Sequence, residues 1–472
     1  MIKKKIYKNI NNFFLIKNKE KIFIEFKHFL EKEKKIIKFK TDSKRKIDFI
    51  LGYKLSDNSG EYTIIKIENQ KIKIITDLFL SYPIYYYLKK DLIVISTNII
   101  KLHSIKKPNL EINKNSLVDL YNYGFNFKNR DTIFKSINQL DIKTLNIFQN
   151  FKFKSEPLKN LKIKKHNGLF KKQIENKIEL LNINKPALAL TSGIDSNIVL
   201  KFLSNLNIEF DCICYGNKDS HDVKFSKIFA RKYNKNYIHK LQNYTNRKNI
   251  SSLLNEYAEI SSGIGISSEI FLMELAKKIS KKYKFLFLGG GGEFYRNYFI
   301  NKKRFISNYL TLSSTLKKFL KEDFYKICII RQKQIKKKKI KLRQFYLKSR
   351  YPYNSNRKNN YLKNYIFPIN FLVDENLYKN FLEDTSNYKK YFNVNIKRTK
   401  QNNVEAFNID NFFKIIKPFL IKNLNILSNY EIFIDVKKTI YFVKNNLLDK
   451  RDKWFLLRIL NLILYINIIK NN

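Results

Sequence analysis

Two short segments carry the residue types best suited to chemistry. The first is ALALTSGIDSNIVLKFL, Ala187 to Leu203, which reads as a buried strand, a small polar turn and an apolar helix. Thr191, Ser192 and Ser196 bring hydroxyls to that turn, and Gly193 lets the backbone come close to a ligand. Unpaired amides at a helix start favour an anion, so the segment has the parts of a phosphate cradle. Asp195 adds a carboxylate where anions should collect, which makes sense if it binds a magnesium ion bridging to phosphate oxygens. An ordinary strand-to-helix turn with a capping Asp or Ser has the same composition. The second segment is FLFLGGGGEFYRNY, Phe285 to Tyr298, a strand followed by four glycines and Glu293. Four consecutive glycines out of 12 in the chain raise the cost of folding, and are best explained where backbone must approach a ligand. The bland reading is a flexible turn closing a strand.

The elements that must position these segments follow from periodicity. From Lys171 onward, helical stretches alternate with short continuous apolar runs, the pattern of a parallel sheet covered by helices. The runs are Ala187 to Leu190, Phe210 to Tyr215 and Phe285 to Leu288, with helical patterns at Asp222 to Tyr233 and Glu269 to Lys282. In open parallel sheets ligands bind beyond the carboxyl ends of the strands, where both segments would lie. The first part of the chain differs. Tyr62 to Ile75 reads as a hairpin around Asn69 and Gln70, and Thr76 to Thr97 as two strands joined at Lys89 to Asp91. Asn98 to Leu102 and Ser116 to Tyr123 suit short helices, and Asp131 to Phe148 a loop and a returning strand. The change in periodicity sets a boundary near residues 155 to 170.

Composition narrows the classes. A chain of 472 residues favours two or more domains. The net charge of +53 would suit nucleic acid or an anionic membrane. Yet lysine far exceeds arginine, and Ile, Asn, Phe and Tyr are also abundant, a bias that A- and T-rich codons explain equally well. The densest basic run, Lys336 to Lys341 with Arg343, reads as a solvated face. Three cysteines, Cys212, Cys214 and Cys328, are too few and too unevenly spaced for a disulfide framework or a four-ligand zinc site, so a cytoplasmic setting is expected. The basic start lacks an apolar core and cleavage site and is expected to be mature sequence. Trp454 to Ile469 is apolar but shorter than a spanning helix and reads as a buried helix.

TSGIDS resembles the S-G-G-L-D-S pyrophosphate loop of asparagine synthetases and related N-type ATP pyrophosphatases, with Ser192 replacing the first glycine. CYGNKDSHDVKFSKIFARKYNKNYIHKL, Cys214 to Leu241, resembles that family's second strand and helix, including Asp222 and His239. The resemblance places Tyr215 and Gly216 near an adenine; for His239 alone a structural histidine is the plainer reading. FLFLGGGGEFYRNY is similar to the family's S-G-(D/E)-G-x-D-E signature, one residue shorter. Gly289 and Gly291 fit its glycines, Glu293 falls at its second metal-binding Asp, and Gly290 stands where the family has an acidic residue implicated in catalysis. The segments at Thr76 to Leu102 and Asp131 to Leu140 resemble the family's class II glutamine amidotransferase domain. That domain needs a cysteine nucleophile, whereas position 2 is Ile2 and no cysteine precedes Cys212. Gln344 to Asn360, Phe367 to Tyr378 and the C-terminal apolar helix resemble later family segments. A family lysine that contacts the activated intermediate would be Lys389, Lys390 or Lys397.

The resemblance implies a degenerate amidotransferase-like α+β domain of antiparallel sheets over residues 1–160, then an α/β doubly wound parallel sheet over 161–472. It implies ATP and Mg2+ as cofactors, with Asp195 and Glu293 on the metal. Leu190, Thr191, Ser192, Gly193, Asp195, Ser196, Tyr215, Gly216, Leu288, Gly289 and Gly291 would hold ATP and pyrophosphate. The expected reaction is AMP-forming amide ligation, a carboxylate activated as acyl-adenylate and attacked by ammonia or an amine, without glutaminase activity of its own. A cyclase or tailoring ligase of the β-lactam or macrocycle kind, and a non-catalytic scaffold, remain alternatives. Expected partners are a small carboxylate, an amine or ammonia and a separate ammonia-supplying protein, with no membrane span and nucleic acid disfavoured. A homodimer is the candidate assembly, the oligomeric state being otherwise open, and no catalytic residue is singled out.

Overall fold

The structure is a computed structural model that describes residues 5–18, 21–28, 36–41, 46–56, 59–103, 111–123, 126, 130–158, 169–206, 208–240, 247–295, 314–337, 345–381, 392, 408–428 and 433–471. It is an α/β protein with one mixed sheet and one parallel sheet.

Among the described residues the mixed sheet has eleven strands: β1 (Lys5–Lys17), β2 (Ile22–His28), β3 (Ile36–Thr41), β4 (Ile47–Ser56), β5 (Ser59–Glu68), β6 (Lys71–Thr76), β7 (Tyr85–Lys89), β8 (Leu92–Ser96), β9 (Ile137–Gln139), β10 (Thr144–Gln149) and β11 (Lys152–Pro157). Their order is β11-β10-β6-β5-β4-β1-β8-β7-β9, with β2 and β3 branching from β1. The expected hairpin is β5–β6, and Asn69 and Gln70 both adopt positive φ, 46° and 62°, as the favoured two-residue hairpin turn requires. β6 alternates buried and half-buried residues along KIKIIT. β7 and β8 pair across Lys90 and Asp91, and helices Ile99–His103 and Lys114–Tyr123 follow as expected. The sheet departs from a purely antiparallel one in the pair β1–β4, which is parallel.

The second sheet contains β12 (Ala187–Ala189), β13 (Asp211–Tyr215), β14 (Tyr237–Lys240), β15 (Phe285–Leu288) and β16 (Phe367–Asn370), all parallel, in the order β14-β13-β12-β15-β16. Alternate residues enter different cores. Ala187, Ile213 and Leu286 pack with Leu254 and Met273, from helices Arg247–Ser261 and Ile270–Ile279. Leu188, Cys212 and Phe287 pack with Ile174 and Ile198, from helices Leu169–Leu181 and Ile194–Asn205. Both faces are thus covered, which accounts for the continuous apolar runs. The chain moves outward from β12 to β14 and returns at β15, so the order reverses between β12 and β15.

The C-terminal helix Lys450–Asn471 is buried along Leu456 to Tyr465, and Asn461 Nδ2 donates to Ser261 Oγ at 3.0 Å. No helix among the described residues is long and apolar enough to cross a membrane. Buried polar contacts join the first part of the chain to the rest: Ser59 Oγ of β5 donates to Asp374, just past β16, at 2.5 Å, and Arg331 of helix Glu322–Lys337 makes two hydrogen bonds to Asp119 of helix Lys114–Tyr123, at 2.9 and 2.6 Å.

Candidate active site

Thr191 to Ser196 follow β12, and Gly289 to Glu293 follow β15, the two strands on either side of the order reversal. Both segments lie beyond the carboxyl ends of neighbouring parallel strands, where open sheets bind ligands. The glycine run fits against the first segment. A Cβ on Gly289 would stand 2.6 Å from the Ser196 amide nitrogen, and one on Gly292 would stand 2.2 Å from a carboxylate oxygen of Asp195. Any side chain at Gly292 would therefore displace that carboxylate. Gly291, at φ 94°, turns the chain between them and begins the short 3-10 turn Gly292–Phe294 that carries Glu293.

A cavity of about 570 Å³ opens at this junction. Leu190, Thr191, Gly193, Asp195 and Ser196 line it, as do Tyr215, Leu288, Gly289 and Glu293. Ser192, Gly216 and Gly291 do not line it, although the sequence placed them with the others. The reason is local in each case. Ser192 is turned onto Asp222, its amide and hydroxyl both donating to Oδ1, at 3.0 and 2.5 Å. The Gly216 carbonyl accepts from His239 Nε2 at 3.0 Å, and the φ of 136° at Gly216 is one that L residues avoid. His239 thus fixes backbone. Gly291 packs on Val373 and Leu372.

Helix Ile194–Asn205 starts at Gly193 without a side-chain cap. Asn197 Nδ2 instead ties the turn together by donating to the carbonyls of Thr191 and Gly193, at 3.1 and 2.8 Å. Thr191 and Ser196 hydroxyls lie 3.1 Å apart, and the Thr191 amide donates to Ser196 Oγ at 3.2 Å. Thr191 itself is exposed. The turn is therefore rigid on its inner side and open to the cavity.

Other lining residues escaped the sequence reading. Arg350, Tyr351 and Lys358 come from the helical segment between 345 and 362, and Asn370 ends β16. Burial pushes the Tyr351 hydroxyl well above its ordinary value, with the charges of Glu61 and Glu293 adding to the effect, so it remains a neutral phenol. Burial likewise raises the Cys214 thiol, which leaves it a poor nucleophile. Asn370 is fully buried and its Oδ1 has no hydrogen-bond partner, while its amide nitrogen and Nδ2 sit on Glu61 at 3.1 and 3.4 Å. A Cβ on Gly290 would meet that Oδ1 at 2.8 Å. Asn370 thus occupies part of the space that a side chain at 290 would need. Lys389, Lys390 and Lys397 lie outside the described residues.

The residues present fit a magnesium–nucleotide complex in one respect that the geometry supplies. Gly292 leaves the Asp195 carboxylate a place that a Cβ would fill, at a cavity that Glu293 also lines. Magnesium commonly takes one or two carboxylates with phosphate oxygens and water completing the shell, so two carboxylates suffice. Among the described residues no group of three or more His, Cys, Asp or Glu side chains could hold a metal by itself.

No family model matches this sequence, and no curated protein matches it. Among solved structures the chain is similar to the glutamine-dependent NAD+ synthetase of Acinetobacter baumannii, solved in complex with ADP. Identity is 9%, the TM-score is 0.22, and the likeness covers 53% of this chain and 61% of that one. The chain thus spans under two thirds of that protein's length, and so loose a superposition carries no argument about the site.

Proposed function

We propose that the chain is an ATP-dependent, AMP-forming amide ligase of asparagine-synthetase type, with a doubly wound synthetase domain over 161–472 and an amidotransferase-like domain over 1–160. The observation that supports it most is the close fit of Gly289 and Gly292 against Asp195 and Ser196 at the mouth of one large cavity. On this reading Thr191 to Ser196 and the start of helix Ile194–Asn205 hold the pyrophosphate, Tyr215 borders the adenine, and Asp195 and Glu293 hold magnesium. Bound magnesium would neutralise phosphate charge. Arg350 and Lys358 line the same cavity and would stabilise negative charge on the α-phosphate and the entering carboxylate. The acid attacks the α-phosphorus, pyrophosphate leaves, and an amine then displaces AMP from the acyl-adenylate.

The test is titration calorimetry with ATP and magnesium. Saturable binding is expected, weakened by Glu293→Gln and abolished by Asp195→Asn; equal binding by all three proteins would remove both carboxylates from the mechanism. The reading also assigns no glutaminase to the first half, since no cysteine precedes Cys212. Glutamate release from glutamine, followed by a coupled assay, should stay at the level of a blank.

A further inference from the structure

A second, smaller cavity of about 100 Å³ lies beside the first, and Lys358 lines both. One wall is rigid. Glu269 accepts two hydrogen bonds from Arg357 Nη2, at 2.9 and 3.1 Å, and another from the Tyr257 hydroxyl. Gly265 packs over that hydroxyl so closely that a Cβ would stand 2.2 Å from it, so the loop cannot carry a side chain there. The apolar part of the lining is Ile264 and Ile266 from the same loop, with Leu120 and Ile133 contributed by the first half of the chain. Arg357 and Lys358 both pair with Glu269, Lys358 Nζ at 3.8 Å, and Arg458 adds a further positive charge to the lining, a balance that favours an acid over an amine.

We propose that this cavity holds the tail of the acid activated in the larger one, with Lys358 meeting its carboxylate where the two cavities adjoin, and that Leu120 and Ile133 set the tail length accepted. The inference rests on the ligase reading and adds a substrate class, short-chain carboxylic acids. A cavity of about 150 Å³ admits benzene, so about 100 Å³ on the same scale admits a tail of about four heavy atoms. Both Leu120 and Ile133 are buried, at 6% and 2% exposure, so each bounds the cavity from a packed position. The first half of the chain then has a part in substrate choice that does not depend on a glutaminase.

ATP–pyrophosphate exchange by the full chain, measured over straight-chain acids and α-amino acids of graded length, tests this. Exchange should fall steeply once the tail exceeds about four heavy atoms. Ile133→Ala should raise the rate with the next longer acid, relative to the best one, by about tenfold, because a methylene in a tight apolar pocket discriminates on that scale. Leu120→Ala should act in the same direction, and Ile133→Val should give a smaller shift with less risk to folding. The ratio of two acids in one sample cancels any loss of folded protein. A length profile unmoved in all three variants overturns the pocket assignment and leaves the ligase reading standing. Absence of exchange with every acid in the unaltered protein overturns both.

Discussion

Two clusters of acidic residues lie close together in this molecule, and they are built in opposite ways. Asp195 and Glu293 border an open cavity of about 570 Å³. Glu61, Asp77 and Asp374, only 2%, 4% and 0% exposed, are sealed where the two sheets meet. The sealed acids are saturated. Glu61 accepts from the Tyr53 hydroxyl at 2.9 Å, Asp77 from the amides of Ser81 and Tyr62 at 2.9 and 3.2 Å, and Asp374 from Gln173 Nε2 at 2.6 Å and from Ser59. Lys177 and Lys363 supply buried positive charge, Lys363 lying 3.6 Å from the centre of the Tyr82 ring. Residue type alone does not separate the two clusters. Closure does: the sealed acids join the halves, while the open ones face a space that a ligand can fill. Asn370 stands between them, its nitrogens on Glu61 and its side chain on the cavity wall.

Breaking the sealed cluster should give the largest effect. Lys177 is fully buried and donates to the Asn370 carbonyl at 3.2 Å. Burial lowers its pKa, and the charges of Asp374 and then Glu61 oppose that shift. Lys177→Met would remove a buried charge-assisted hydrogen bond to the Asn370 carbonyl and a cation that attracts Asp374 and Glu61, a loss of about 1.5–3 kcal/mol. Urea denaturation should show a loss of that size; a loss below about 1 kcal/mol would mean that the cluster is only a surface-like network.

The open cluster should answer in binding instead. Gly292→Ala puts a Cβ against the Asp195 carboxylate, so affinity for ATP with magnesium should fall by about tenfold to a hundredfold, the usual result of displacing a group that orients a metal ligand. Gly290→Ala is the control within the same run. Its Cβ meets only the end of the Asn370 side chain, at 2.8 Å, so its loss of affinity should be several times smaller. Equal losses in calorimetry would show that the run acts through flexibility and not through this one contact.

The same contrast explains what could be read from the sequence. Strand and helix periods are local, so the hairpin at Asn69 and Gln70, the strands β12, β13 and β15 and their helices were legible. Ser220 capping the helix His221–Lys232, by accepting from Val223, fits the same local rules. Strand β1 lacks a clean alternation across KIYKNINNFFLIK, and β1 to β4 were not anticipated. The site was half legible. Strand-end turns announce themselves, but Asn370, Arg350 and Lys358 reach the cavity only through packing of segments far apart in the sequence. Gly292 had a visible signal, being the fourth of four glycines, yet its partner Asp195 could be found only in three dimensions. The sealed acids gave no signal, since Glu61 and Asp77 lie in stretches whose alternation suits an exposed charge equally well.

A further expected effect concerns pH, and its sign distinguishes a sealed acid from a salt-bridged one. Burial is the main cause that raises Asp77 from 3.8 to about 6, against the hydrogen bonds from Ser81 and Tyr62, with the charge of Glu61 adding to the rise. The folded chain then holds this proton more tightly than the unfolded chain does. Its contribution to stability is therefore greatest at low pH and is lost as pH rises through the window from 3.8 to about 6. Glu269, lowered on balance by Arg357 and Lys358 despite its burial, behaves oppositely and loses its contribution on acidification. Total stability mixes these trends, so the informative quantity is the difference between the unaltered protein and Asp77→Asn. That difference should favour the unaltered protein more at pH 4 than at pH 6.5, by up to about 3 kcal/mol for a shift of this size. Lys363 supplies a check at the other end. Burial lowers it from 10.5 to about 8, so its folded form pays for the charge below 8 and is relieved as pH rises toward 10.5. Lys363→Met should remove a rise in stability over that alkaline window and, because the charges of Lys363 and Asp77 attract, should enlarge the acid-side difference of Asp77→Asn. A difference between Asp77→Asn and the unaltered protein that is flat from pH 4 to 6.5, or that grows with pH, would show that Asp77 is already charged in the folded chain and that the seal between the sheets admits water.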